Sequence, residues 1–127
     1  MARTDAGRDW QARIMGDTGS DGTGDYASAT YIGLSANTDS PVASNTTLPG
    51  EITSGTLART QAVYAHTNGT SSYTLTKTFT SDQTVNIAKT GVFNALTGGT
   101  LVFETLLGST ANLKSGDTVQ IVFTGTL

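Results

Sequence analysis

Between Tyr73 and Thr80 the chain alternates between two kinds of side chain: Tyr73, Leu75, Lys77 and Phe79 against Thr74, Thr76, Thr78 and Thr80. Successive side chains of a strand point to opposite faces, so this period of two predicts a strand with one apolar face. The turn signal Thr67-Asn68-Gly69-Thr70 stands just ahead of it. Residues 57–66 fit helix or strand by composition, and the turn decides for strand, which makes a hairpin. Two runs flanking Leu96-Thr97-Gly98-Gly99, residues 85–94 and 100–107, predict a second hairpin. The turn Lys114-Ser115-Gly116-Asp117 then leads into a last strand, where Val119, Ile121 and Phe123 alternate with Gln120, Val122 and Thr124. That strand runs almost to Leu127, so the C-terminal end is expected to be paired.

Upstream, residues 29–35 read as a strand in which Gly33 would allow a bulge or a close backbone approach. Residues 36–50 hold both prolines among Asn, Asp and Ser and predict a long surface excursion. Residues 5–15 are the one predicted helix, with Thr4 or Asp5 as N-cap and Ala6, Trp10 and Ile14 on one face. Residues 16–25 contain no apolar side chain and predict a flexible or extended loop. Short strands separated by turn clusters predict an all-β fold, a single β-sandwich or small barrel of antiparallel strands. The first forty or so residues are expected to form an arm outside its core. The chain accordingly divides into an N-terminal helix and flexible docking arm, residues 1–25, and a β-sandwich domain, residues 26–127.

Composition narrows the chemistry. A chain of 127 residues fits one domain. Threonine is its commonest residue, and β-branched side chains suit a pleated surface. There is no cysteine, so neither disulfides nor thiolate metal sites are available. With 7 basic against 10 acidic residues and a net charge of −3, no basic surface is predicted and nucleic-acid binding is disfavoured. No apolar run is long enough to span a membrane, and the opening residues lack a secretion-type apolar stretch. Synthesis in a cytoplasm is therefore expected, with no membrane partner.

Several motifs invite chemical readings. Asp17-Thr18-Gly19-Ser20 matches the string at the catalytic aspartate of aspartic proteases, whose chemistry needs two carboxylates sharing a proton at a rigid symmetric site. Here the string follows Gly16 and leads into more Gly and Asp, which reads as a solvated loop. Asp17, Asp21, Gly22 and Asp25 partly mimic a calcium loop, but Gly19 and Ser28 stand where ligands are needed. His66, the single histidine, lacks a second metal ligand or a nucleophile and reads as a hydrogen-bonding residue at a strand end. Asn45-Thr46-Thr47 and Asn68-Gly69-Thr70 fit the glycan acceptor pattern by coincidence in a threonine-rich chain. Glu104 and Lys77 could pair if they are neighbours, at an interface or an edge. The Gly98-Gly99 pair joins strands and opens no phosphate-binding helix. The reading is non-enzymatic, with no catalytic residues, cofactor or metal.

Tyr31-Ile32-Gly33-Leu34-Ser35, Leu48-Pro49-Gly50-Glu51-Ile52, Gly55 to Ala62 and Tyr64-Ala65-His66-Thr67 resemble small structural proteins of tailed-bacteriophage virions. So do residues 73–80, 87–94 and 99–106, and the likeness extends over most of the chain. The resemblance implies a capsid decoration (cement) protein that binds the assembled major capsid protein on the capsid exterior. By analogy it also implies a homo-oligomer, in trimers at lattice three-folds. Trp10, Ile14 and Tyr26 are the expected partner contacts, as aromatic and apolar anchors beside a flexible segment, with burial against the domain itself as the alternative for each. The alternative within the resemblance is a tail, baseplate or fibre-associated protein. A sugar-binding version of it would carry an exposed aromatic beside polar loops, at Tyr64 or Tyr73.

Overall fold

Alternation and turns set most of the secondary structure seen in the computed structural model, which describes residues 2–16 and 28–126, with side chains described for 3–12 and 28–126. In chain order the described elements are β1 (Ala2–Arg3), α1 (Asp5–Gly16), β2 (Tyr31–Ser35), β3 (Thr60–Gln61), β4 (Val63–His66), β5 (Ser72–Thr80), β6 (Val85–Phe93), β7 (Leu101–Leu113) and β8 (Thr118–Thr126). A short 3-10 turn, Gly55–Leu57, precedes β3.

The strands form two antiparallel sheets, one ordered β1-β7-β6-β2-β3 and the other β4-β5-β8. They bury a common core in which Ile32, Leu34 and Val92 of the larger sheet meet Leu75, Phe79, Ile121 and Phe123 of the smaller. The fold is all-β and sandwich-like, not a closed barrel. The chain passes from β3 to β4 through the single residue Ala62, so one corner of the two sheets is joined covalently. Ala62 is buried, and its N–H donates to the Thr30 carbonyl at 2.8 Å.

The second predicted hairpin forms, and the first forms from Val63 onward only: the predicted strand 57–66 is divided at Ala62, with Thr60–Gln61 in the larger sheet and Val63–His66 in the smaller. β4 and β5 pair from Val63↔Thr76 to His66↔Tyr73. β6 and β7 turn through Gly98 and Gly99, both at positive φ, a conformation glycine adopts without steric cost. The Asn94 side-chain oxygen accepts from the Thr100 N–H at 2.7 Å and closes that turn. β7 runs beyond the predicted 107 to Leu113. Its ladder is broken: Leu106 pairs with Lys89, and pairing resumes at Ala111↔Ile87, so residues 107–110 face Ala88 alone. β5 and β8, in contrast, pair in nine successive rungs from Ser72↔Thr126 to Thr80↔Thr118 without a shift.

The larger sheet is covered on its outer side by the excursion over residues 36–50, whose Leu48 packs on Phe93 and Leu101. Gly33 and Gly91 face each other across β2 and β6 with no bulge. A methyl at Gly33 would press on the Glu51 carboxylate and the Phe93 ring, and one at Gly91 on Leu101 and Leu48. Close approach, and not a kink, is what these glycines permit.

The expectation that the first forty residues stand outside the core is corrected. Ile32 and Leu34 are completely buried in β2, between β3 and β6. β1 pairs with β7 through Ala2↔Glu104 and Arg3↔Phe103. Thr4 is the N-cap of α1, accepting from the Gly7 N–H at 2.9 Å, while its hydroxyl donates to the Leu101 carbonyl. Gly7 lies directly on the Val102 backbone. The first four residues of β7 are thus hydrogen-bonded or paired by the segment ahead of the helix. Residues 17–25, with the protease-like and calcium-like strings, lie outside the described residues.

Candidate binding cleft

Beside α1, at the end of the sandwich where β4 and β5 begin their hairpin, a cleft of ≈ 580 Å³ opens. Antiparallel register places Tyr64 opposite Leu75 and His66 opposite Tyr73. Tyr64 and Tyr73 therefore share the core-facing side of the small sheet and approach diagonally, with ring centroids 5.9 Å apart and planes at 40°. Tyr73 lies over Gly125, its rung partner on β8, and any Cβ there would overlap the ring. Tyr64 keeps 57% of its surface exposed.

The opposite wall comes from the N-terminal residues. Trp10 and Gln11 of α1 and Arg3 of β1 line it, with Phe103 behind. Trp10 packs against the main core, and the Arg3 guanidinium sits 5.9 Å from the Phe103 ring centroid. The third side is Ser28, Ala29, Thr30 and Gln61, where the Gln61 amide donates to the Thr30 hydroxyl at 3.3 Å. Burial pushes the Tyr73 hydroxyl above the usual tyrosine value of 10.0. Arg3 opposes that rise, and Tyr64 adds to it.

Of the expected partner contacts, Trp10 is half-buried in this cleft. The side chain of Ile14 and the whole of Tyr26 lie outside the described residues. Tyr64 and Tyr73 are brought together, which one-dimensional spacing could only suggest. Arg3 and Gln61 were missed, because nothing in the sequence joins β1 or β3 to this end of the sandwich.

Charge is concentrated elsewhere. Glu104 does not pair with Lys77, which stands opposite Ile121 on β8, and neither an interface nor an edge position accounts for it. Its partner is Lys89, at 2.8 Å, with both side chains sealed from solvent. Asn45, from the covering excursion, donates to the other carboxylate oxygen at 2.8 Å. The sequence signal was there: each charge interrupts an apolar strand in a chain with only 13% charged residues. A second polar knot joins Arg59 to Glu51 by two bonds of 2.8 Å and to the Ala95 and Gly98 carbonyls, with the guanidinium 3.4 Å above the Phe93 ring. Both knots are structural, since every charge in them is matched by a partner within the fold.

His66 sits at the end of β4 with Nδ1 2.8 Å from the Ser72 carbonyl, as expected of a strand-end residue. Among the described residues no group of three His, Asp or Glu side chains is placed to hold a metal, and no helix is long and apolar enough to cross a membrane.

The outer face of the small sheet has the opposite character. Register and alternation put Val63 and Ala65 of β4, Thr74, Thr76, Thr78 and Thr80 of β5, and Gln120, Val122 and Thr124 of β8 on one surface without a charge. Val63, Thr76 and Val122 form one row across it, with the two valines 70% and 53% exposed. On the remaining open side, a groove runs between Thr105–Gly108 of β7 and Gln120–Thr124 of β8. Comparison with known protein families and with curated proteins finds no match.

Proposed function

We propose that this protein is a structural component of a tailed-bacteriophage virion, most simply a capsid decoration protein that binds the assembled major capsid lattice from outside. The observation that carries the protein-binding part of this reading is the uncharged outer face of β4-β5-β8. Interface centres are depleted in charge, and stiff β-branched side chains lose little freedom when covered. Two exposed valines in one row give such a face an apolar centre with a hydroxyl-rich surround. The capsid assignment itself comes from the resemblance of the strand and turn segments. A protein that binds only the assembled lattice stabilises it by mass action and needs no chemistry of its own.

The test is to locate the protein in purified particles. Many copies spread over the shell support decoration, whereas a few confined to the tail overturn it. The face is tested by Val63→Glu and Val122→Glu, whose side chains point to solvent. Each should leave folding intact and reduce binding to undecorated shells at least tenfold, because a buried unpaired charge is costly. The docking-arm reading assigns further contacts to Ile14 and Tyr26, and it is tested by single substitutions there. Deleting everything ahead of Tyr26 would also remove Thr4 and β1 from β7. A homo-oligomer, as trimers at three-folds, belongs to the same proposal and is read from particle symmetry.

The second reading, a tail, baseplate or fibre-associated adhesion protein, is favoured by the aromatic cleft.

A further inference from the structure

We propose that the cleft between α1, β4 and β5 is a saccharide site that takes a neutral pyranoside. The inference rests on the side chains of the cleft and holds wherever the module sits in a particle.

A pyranose has a face of C–H groups and a rim of hydroxyls, each able to donate and accept. The cleft offers a counterpart to both. Tyr64, 57% exposed and tilted at 40° to Tyr73, supplies an open aromatic face for the C–H side. A ligand stacking on that ring would cover apolar surface now open to water. Around the rim stand the amides of Gln11 and Gln61 and the hydroxyls of Ser28 and Thr30. Amides and hydroxyls both donate and accept, as vicinal sugar hydroxyls do. Among the described residues no carboxylate lines the cleft, and Arg3, the one cation among them, lies against the Phe103 ring. That balance fits a neutral sugar better than an ionic ligand. The volume of ≈ 580 Å³ lies within the range of small-molecule sites and accommodates more than one ring.

The preorganisation is also of the required kind. Tyr73 is fixed by Gly125 beneath it, and Gln61 is steadied by Thr30, so two walls of the cleft are set before any ligand arrives.

Trp10 is the chain's only tryptophan and lines the cleft, so its fluorescence reports occupancy directly. The full-length protein is titrated with maltose, lactose and N,N′-diacetylchitobiose to about 50 mM, which would saturate a site with a Kd near ~1 mM. Saturation-transfer NMR on the same mixtures detects binding that leaves the emission unchanged. The expected result is saturable binding of at least one probe, weakened at least tenfold by Tyr64→Ala and also by Gln61→Ala. Thr78→Ala, on the opposite face of the small sheet, should leave it unchanged. Circular dichroism of each variant verifies folding, which the exposed Tyr64 does not support from within the core. No saturable response to any of the three sugars overturns the proposal. So does sugar binding that survives Tyr64→Ala, or binding of short peptides in place of sugars. The location of the protein in the particle is unaffected by any of these outcomes, so the two readings fail independently.

Discussion

Lys89 and Glu104 are the residues on which the larger sheet can be most sharply tested. Both are fully buried, 2.8 Å apart, and Glu104 is answered on its other oxygen by Asn45. Taking two ions out of water costs several kcal/mol each, and their attraction offsets this only while both are present. Glu104→Ala strands an ammonium in the interior and should destabilise the protein by about 3–5 kcal/mol in urea unfolding. Replacing both, as Lys89→Met with Glu104→Leu, should recover most of that loss, because the desolvation cost disappears with the charges. A double variant as unstable as the single one would mean that packing, and not charge, dominates there. Tyr73 gives a second residue-scale prediction. Burial raises its folded pKa above 10.0, so the native state keeps a proton that the unfolded chain has released. Stability is therefore insensitive to this group below pH 10 and falls as pH rises from there through the raised value. Phenolate absorbance should show a late-titrating component, and Tyr73→Phe should remove it. At this scale the sequence revealed that Glu104 and the tyrosines were unusual, but not their partners. The contact of Asn45, on the covering excursion, with Glu104 bridges 59 positions of sequence separation.

Elements were the most legible level, for a physical reason. The alternation at 73–80 and 119–124 and the Asn-Gly and Gly-Gly turns are local signals, and β5, β8 and both hairpins depend on local geometry. The helix was also legible, from a Thr cap and apolar spacing. Where it docks was not, because docking depends on Gly7, whose missing side chain lets α1 settle on the Val102 backbone. Gly7→Ala tests this. Alanine improves helix propensity by about 1 kcal/mol over glycine, while forcing a methyl into packed backbone costs about 1–3 kcal/mol. The packing cost should win, giving a lower unfolding midpoint. A stabilised Gly7→Ala variant would show that the helix is free of the sheet. The long β7 escaped prediction because its second half pairs only after the unmatched stretch 107–110, which interrupts any periodic pattern.

For the molecule as a whole, the sequence pattern predicted the fold class and left the arrangement of sheets open. Alternation tells which side of a strand is apolar, but it cannot tell which sheet a strand joins. β2 looked peripheral because a polar stretch precedes it and a long excursion follows, yet it is enclosed between β3 and β6. The sandwich-like layering also separates the surfaces by character: a charge-free threonine and valine plane on one side, a polar loop cover on the other, and an aromatic cleft at one end. Each proposed role falls on a different one of these, so substitutions in the plane and in the cleft should be independent of each other in stability and in binding.

The passage of the backbone from one sheet to the other through Ala62 carries a mechanical consequence. That corner works like the spine of a book: the two layers cannot part or slide there without stretching the chain itself or breaking the bond from Ala62 to Thr30. Two further crossings, residues 81–84 from β5 to β6 and residues 114–117 from β7 to β8, pin the layers again. They are tied to each other where the Ser81 N–H donates to the Asp117 carbonyl and the Gly116 N–H to the Ser81 carbonyl. Breathing is left to the stretch farthest from these links, where Thr105 to Gly108 face Gln120 to Thr124.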